Sequence, residues 1–151
     1  MPETWTITHA NDTNAEGCER VNDWLREHNW SANAEFMARI HEAEHDAEPL
    51  VLLVKTEMET VGGLFAQTQL SWLRISIMAV HPDHRGQGIG TTLIEEAERQ
   101  AVQRGCKYAH VDTMDYQAPE FYRTHGYKVV ATLPDWDSHG HTKFHFLKHL
   151  A

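Results

Sequence analysis

The chain has 151 residues, 41% hydrophobic and 23% charged, which fits one globular domain, residues 1–151, with a buried core. Its formal charge of -9 argues against nonspecific nucleic-acid binding and suits small cationic partners. No apolar run is long enough to cross a bilayer, and Met1-Pro2-Glu3-Thr4-Trp5 lacks the basic start and apolar core of a signal peptide, so a cytoplasmic protein with no membrane partner is expected.

Thr4 to Ala10 alternates Trp5 and Ile7 with threonines, which predicts a first strand. Thr13-Asn14-Ala15-Glu16 has capping-box spacing. The helix predicted after it carries Cys18, Val21, Trp24 and Leu25 on one side and breaks near Asn29. A second helix is expected from Ala32 to Asp46 with Phe36, Met37 and Ile40 inward, stopped by Pro49. Cys18 and Cys106 match no ligand or redox spacing and read as reduced thiols.

Leu50 to Lys55 is an apolar run typical of a central strand, and Thr56 to Glu59 a turn. Thr60 to Gln69 is its partner strand, where Gly62-Gly63 signals a bulge or a close backbone approach. Ser71 to Val80 completes an antiparallel meander. From Gly88 the period becomes helical, with Ile89, Leu93, Ile94, Ala97 and Ala101 inward, Glu95 and Arg99 paired outside, and Gly105 closing the helix. Lys107 to Met114 then reads as a strand parallel to Leu73–Val80 across a helical crossover. A short helix from Ala118 to His125 closes at Gly126. Strands at Tyr127–Leu133 and Lys143–Leu150 flank a polar loop, Pro134 to His141.

Between the strand ending at Val80 and the helix starting near Gly88 stand three alternate glycines, Gly86, Gly88 and Gly90. Backbone must face something there. A helix N-terminus offers unpaired N–H groups and about half a positive charge, an anion cradle. The dinucleotide fingerprint needs Gly-x-Gly-x-x-Gly and the P-loop needs a lysine before its Ser/Thr, so both fail on spacing.

Arg85-Gly86-Gln87-Gly88-Ile89-Gly90, following Ala79-Val80-His81-Pro82, fits the acetyl-coenzyme A signature Arg/Gln-x-x-Gly-x-Gly/Ala. Here the chain resembles the GNAT (Gcn5-related N-acetyltransferase) superfamily, over about Gly62 to Leu150. The resemblance implies an α+β fold with a mixed central sheet of about seven strands, split between the fourth and fifth, and about four helices. It implies acetyl-CoA as co-substrate, with its pyrophosphate on the backbone of Gly86, Gly88, Ile89, Gly90 and Thr91. Arg85 adds charge and Gln87 completes the motif. The pantetheine arm would enter the split and pair with backbone near Met78 and Val80, the Val80 N–H facing the thioester carbonyl.

The second segment runs from Asp112 through Gln117-Ala118-Pro119-Glu120-Phe121-Tyr122 to Gly126-Tyr127. In the family a tyrosine matching Tyr122 lies near the CoA sulfur and can protonate the leaving thiolate, beside Phe121. As plain core aromatics these two residues would need no such role. Gln117 stands where the family often has an asparagine on the CoA arm. Asp112, at the carboxyl end of its strand, either orients or deprotonates an amine, or holds a loop. The strand Leu73–Val80 carries no glutamate, so the general base is open.

His41-Glu42-Ala43-Glu44-His45 matches the zinc-peptidase pattern His-Glu-x-x-His, but its flanks are acidic and alanine-rich and no third ligand follows, so a solvated helix face and no metal site is expected. Asp135, Asp137, His139 and His141 share one loop and read as a polar connection. The resulting expectation is transfer of acetyl from acetyl-CoA to a primary amine of a small molecule or peptide. A homodimer is common in the family. A CoA-binding sensor without turnover, or a zinc hydrolase using His41 and His45, are the rival readings.

Overall fold

In a computed structural model that describes residues 1 and 3–150, the chain falls into two compact units, Met1–His45 and Asp46–Ala151. The first unit holds helices α1 (Cys18–Ala32) and α2 (Ala34–Ile40) and a single 3-10 turn at Ala43–His45. Thr4 to Ala10 forms no strand, and Trp5 and Ile7 stay exposed. Two apolar side chains bury too little to offset the ordering of seven residues. The Thr13–Glu16 box is not used either. Asp12 takes the Asn14 N–H at 2.7 Å in a turn, and α1 starts after Gly17, whose φ is 89°.

The two helices meet at Asn33, not Asn29. Its N–H donates to the Asn29 carbonyl at 2.8 Å, and its side chain accepts from the Phe36 N–H at 3.4 Å, so one residue ends α1 and begins α2. Val21, Trp24, Leu25 and Phe36 are exposed, whereas Cys18, Met37 and Ile40 are half-buried. The inward faces expected for these helices are therefore only partly covered. α2 stops at Ile40, well short of Asp46.

The second unit is built on one sheet of β1 (Glu48–Lys55), β2 (Thr60–Gln69), β3 (Trp72–Val80), β4 (Tyr108–Met114), β5 (Lys128–Leu133) and β6 (Lys143–His149). The strand order is β1-β2-β3-β4-β6-β5, with β3 and β4 parallel and the other neighbours antiparallel. Among the described residues six strands form where seven were expected, the missing one being Thr4–Ala10. Pro49 lies inside β1 instead of ending a helix. An edge strand tolerates it because one side has no ladder to supply.

Helix α3 (Ile89–Gln103) packs on this sheet through Leu93, Ile94, Ala97 and Ala101, all buried against Leu50, Leu64, Leu73 and Phe146. Burying a leucine or isoleucine side chain contributes about 1.5–3 kcal/mol, and the two alanines let the helix approach closely. The helix ends in a Schellman turn. Gly105, at φ 90°, donates to the Val102 carbonyl at 2.9 Å, and buried Cys106 donates to Ala101 at 2.9 Å. Outside, Arg99 pairs with Glu96, one turn back, and not with Glu95. Arg99 and then Gln100 hold the Glu96 carboxyl down to about 2.

Helix α4 (Pro119–Thr124) closes the same way. Gly126, at φ 86°, donates to Arg123 at 3.1 Å and Tyr127 donates to the Tyr122 carbonyl at 3.0 Å, with the two tyrosine rings 5.8 Å apart. The Gly-Tyr exit thus fixes the orientation of Tyr122.

Candidate active site

The site begins with a defect in the sheet. β3 and β4 pair over only four residues, from Trp72 opposite Tyr108 to Ile75 opposite Val111. At Ser76 β3 carries one extra residue, since Ala66 faces Ile75 and Phe65 faces Ile77. Such a bulge bends its strand, and the Ser76 hydroxyl secures it by donating to the Phe65 carbonyl at 3.0 Å. Beyond it β3 follows β2 and parts from β4.

That parting leaves backbone groups turned into a gap. Val80 sits opposite Gly62, and the His81 N–H donates to the Val61 carbonyl at 2.8 Å. These two facts make Val80–Gly62 a wide, non-hydrogen-bonded pair, so the amides of Val80 and, by alternation, Met78 face away from β2 into the gap. Gly62 itself permits a close approach. A Cβ there would lie 3.2 Å from Ile89 Cγ2 and 3.3 Å from the Ala79 carbonyl.

The turn that follows is braced at both ends. His81 Nδ1 accepts the Asp83 N–H at 3.2 Å, and Arg85 Nε donates to the Val80 carbonyl at 3.1 Å. Gly86 and Gly88 have φ of 75° and 82°, and a Cβ at either would meet nothing within 4 Å, so conformation, not space, requires glycine there. Gly90 is the reverse case. A Cβ would fall 3.2 and 3.3 Å from the Phe121 ring. No side chain caps α3, so its first N–H groups stay available.

A bridge ties the start of α3 to α4. His125 Nδ1 lies 2.8 Å from the Phe121 carbonyl and Nε2 lies 3.1 Å from the Thr91 hydroxyl. The carbonyl can only accept, so in the neutral ring Nδ1 carries the hydrogen and Nε2 accepts from Thr91.

A cavity of about 800 Å³ fills the gap. Ser76 to Val80 of β3, His84 to Gly86 and Gly88 to Thr91 of the turn and α3, Val111 to Thr113 of β4, and Tyr116 to Ala118 with Phe121 and Tyr122 line it. Met78, Val80, Arg85, Gly86, Gly88, Ile89, Gly90, Thr91, Asp112, Gln117, Phe121 and Tyr122 all contribute, while Gln87 is exposed and outside the lining. Ser76 and His84 were not anticipated, and Thr113 and Tyr116 fell within the second segment without an assigned role. A lone serine inside the apolar run Leu73–Val80 was the one available signal for the first.

Tyr122 is buried, with Phe121, Tyr127 and Phe146 rings 5.3 to 5.8 Å away, and among the described residues its hydroxyl has no hydrogen-bond partner. Burial, and then the charge of Asp112, pushes its pKa up to about 12. The Asp112 carboxylate stands 3.2 Å from Lys143 Nζ. Gln117 spends its side-chain oxygen on the turn, accepting the Met114 N–H at 2.7 Å and the Thr113 hydroxyl at 3.1 Å.

Comparison with known proteins bears on what this gap accommodates. The model of the acetyltransferase (GNAT) family matches residues 16–127, most of the chain. The chain belongs to the acetyltransferase (GNAT) family. Blasticidin-S acetyltransferase of Streptomyces morookaense is 40% identical over 79 residues, 52% of this chain and 58% of that protein. An acetyltransferase of Agrobacterium fabrum is 34% identical over 91 residues, 60% of this chain and 66% of that one. The matched region thus spans about 58% and 66% of the length of these curated relatives. The crystal structure of an acetyltransferase from Bacillus cereus superposes with a TM-score of 0.73 at 29% identity, covering 95% of this chain and 97% of that one. GNAT acetyltransferases draw their acetyl group from acetyl-CoA.

In this GNAT protein the His-Glu-x-x-His segment does not lie on one helix face. α2 ends at Ile40, His41 Nδ1 is 2.6 Å from the Met37 carbonyl, and His45 follows in the 3-10 turn, facing Glu42 at 3.2 Å. The geometry behind the zinc-hydrolase reading is therefore lost. The carboxylates of the 134–142 loop have other partners. Asp135 accepts the Gly140 N–H at 2.7 Å, and Asp137 accepts those of His139 and His141 at 2.9 and 3.1 Å. No helix among the described residues is long and apolar enough to cross a membrane.

Proposed function

We propose that the protein transfers an acetyl group from acetyl-CoA to the primary amine of a small cationic molecule. The observation that carries this reading is the gap between β3 and β4, where the Met78 and Val80 amides, the Gly86–Thr91 turn and the Tyr122 hydroxyl line one cavity. The CoA pyrophosphate rests on the N–H groups of Gly86 and Gly88 to Thr91, with the Arg85 charge beside it. The pantetheine arm then runs back along β3. It passes Val80 first and Met78 next, each strand residue advancing about 3.3 Å. That direction gives the thioester carbonyl to the Met78 N–H and leaves Val80 to the arm, a shift of one pair from the sequence expectation.

The amine attacks the thioester carbon, the C–N bond forms and the C–S bond breaks. Tyr122 faces the departing sulfur as a hydrogen-bond donor. With a thiol reference near 8.5 and a tyrosine pKa of about 12, full proton transfer from Tyr122 is uphill by roughly 5 kcal/mol, so the phenol keeps its proton and stabilises the thiolate. Asp112, paired with Lys143, orients the incoming ammonium.

A charge of -9 favours a cationic acceptor, and the blasticidin-S acetyltransferase relative points toward antibiotics bearing a primary amine. Thiol release from acetyl-CoA, measured with blasticidin S, polyamines, aminoglycosides and lysine peptides, tests the proposal. Saturable turnover with a small cationic amine is expected. Tight acetyl-CoA binding with no amine above the water background would instead mark a CoA-binding module.

A further inference from the structure

A second cavity of about 360 Å³ lies next to the first, floored by His110 and Asp112 and walled by Gln67, Arg74 and Ser76. Ser76 and Asp112 line both cavities, so the two meet where β3 leaves β4. Alternation along β4 puts His110 and Asp112 on the face opposite Ala109 and Val111, away from the α3 core. Strand β6 places His145 directly across from Asp112. His110 Nε2 and His145 Nδ1 are 2.9 Å apart with the rings stacked, and the donor atoms of His110, Asp112 and His145 all lie within 4.8 Å of one another.

Such a cluster suits either a divalent metal or a proton. Its surroundings decide. Lys143 Nζ already stands 3.2 Å from Asp112, and Arg74 of β3 faces His110, so two cations sit where a metal ion would need the field. We infer that the hydrogen-bonded pair His110–His145, backed by Asp112, takes the proton from the acceptor amine as it enters through the second cavity. This inference rests on the transferase reading above.

Burial first, then the charges of His145 and Arg74, pushes the His110 imidazole below its ordinary value, with Asp112 opposing. His110 is therefore the unprotonated, accepting member of the pair at neutral pH. The balance closes. An ammonium that becomes an amide loses two protons. One passes transiently to the imidazole pair, uphill from an ammonium with a pKa of about 10.4, and is drawn on to solvent as attack consumes the free amine; the other ends on the CoA sulfur as the C–S bond breaks.

The test measures kcat/KM for thiol release from acetyl-CoA between about pH 5 and 9 with two probes, n-butylamine, protonated at neutral pH, and hydroxylamine, which is not. The double variant His110→Phe/His145→Phe is expected to lose about 100-fold with butylamine and to stay within a few-fold with hydroxylamine. Its acetyl-CoA affinity by calorimetry should be unchanged. The single variant His145→Asn keeps His110 but removes one opposing charge, so the acid limb of the butylamine profile moves to higher pH. Equal loss with both probes, or an unmoved acid limb in His145→Asn, overturns the assignment while leaving the transferase standing. A rate abolished by chelator and restored by zinc overturns it in favour of a metal. Acetyl-CoA binding without thiol release from either probe in the unaltered protein overturns the transferase reading and this assignment with it.

Discussion

Tyr122→Phe separates a role in chemistry from a role in packing, because the substitution removes one oxygen and keeps the ring. The ring contacts to Phe121, Tyr127 and Phe146 survive, and no hydrogen bond among the described residues is lost. Folding stability should therefore hold within about 1 kcal/mol, since the hydroxyl has no protein partner among the described residues and Tyr122 lines the open cavity. The catalytic effect is larger. A hydrogen bond to a charged group contributes about 1.5–3 kcal/mol, so losing the bond to the thiolate should lower kcat roughly 10- to 150-fold. The KM for acetyl-CoA should barely move, because the thioester sulfur before attack carries no charge to stabilise. Because its pKa is held at about 12, Tyr122 should also add no basic limb to the pH profile below about pH 10. Steady-state thiol release and a thermal melt measure both quantities. A kcat within two- to threefold of the unaltered protein, at equal melting temperature, would refute the donor role and leave Tyr122 as a core aromatic.

Tyr127→Phe removes a buried hydroxyl with no protein partner among the described residues, so the melting temperature should hold or rise with kcat unchanged; a clear fall would mean that the hydroxyl is satisfied. Gly90→Ala gains up to about 1 kcal/mol of helix propensity but presses a methyl group against the Phe121 ring, so near-unchanged stability with acetyl-CoA bound roughly tenfold more weakly is expected by calorimetry. The Asp115 carboxyl is held below the usual range by the Thr142 N–H at 2.9 Å and by His141. A depressed carboxylate stabilises the fold above its unfolded value and loses that contribution as pH falls through the folded one. Amide protection in the 134–142 loop should therefore drop below about pH 4, and Asp115→Asn should weaken that dependence, leaving the part carried by Asp137.

The glycine turn and the helix after it were legible because their signals are local. Left-handed glycines at 86, 88 and 105 and the stripe Leu93, Ile94, Ala97, Ala101 need no knowledge of distant partners. The split sheet was legible only through family resemblance, since pairing that stops at Ile75 and a bulge at Ser76 depend on what lies across the strand. The N-terminal expectations failed where short patterns competed. Trp5 and Ile7 alternate like a strand yet have too few companions, and Asn33 serves as a cap for two helices at once. The His110–His145 pair was invisible for the same reason as the split. The two residues are 35 positions apart, and only the antiparallel register of β4 and β6 joins them.

The central claim is that the β3–β4 gap is the acetyl-CoA site. Amide hydrogen exchange, followed residue by residue with and without saturating acetyl-CoA, tests it most directly. Slowed exchange is predicted at Met78, Val80 and Gly86 to Thr91, with the β1 and β5 edges of the sheet unchanged. Protection confined to other segments, or none at Met78 and Val80 while acetyl-CoA is bound, would contradict it.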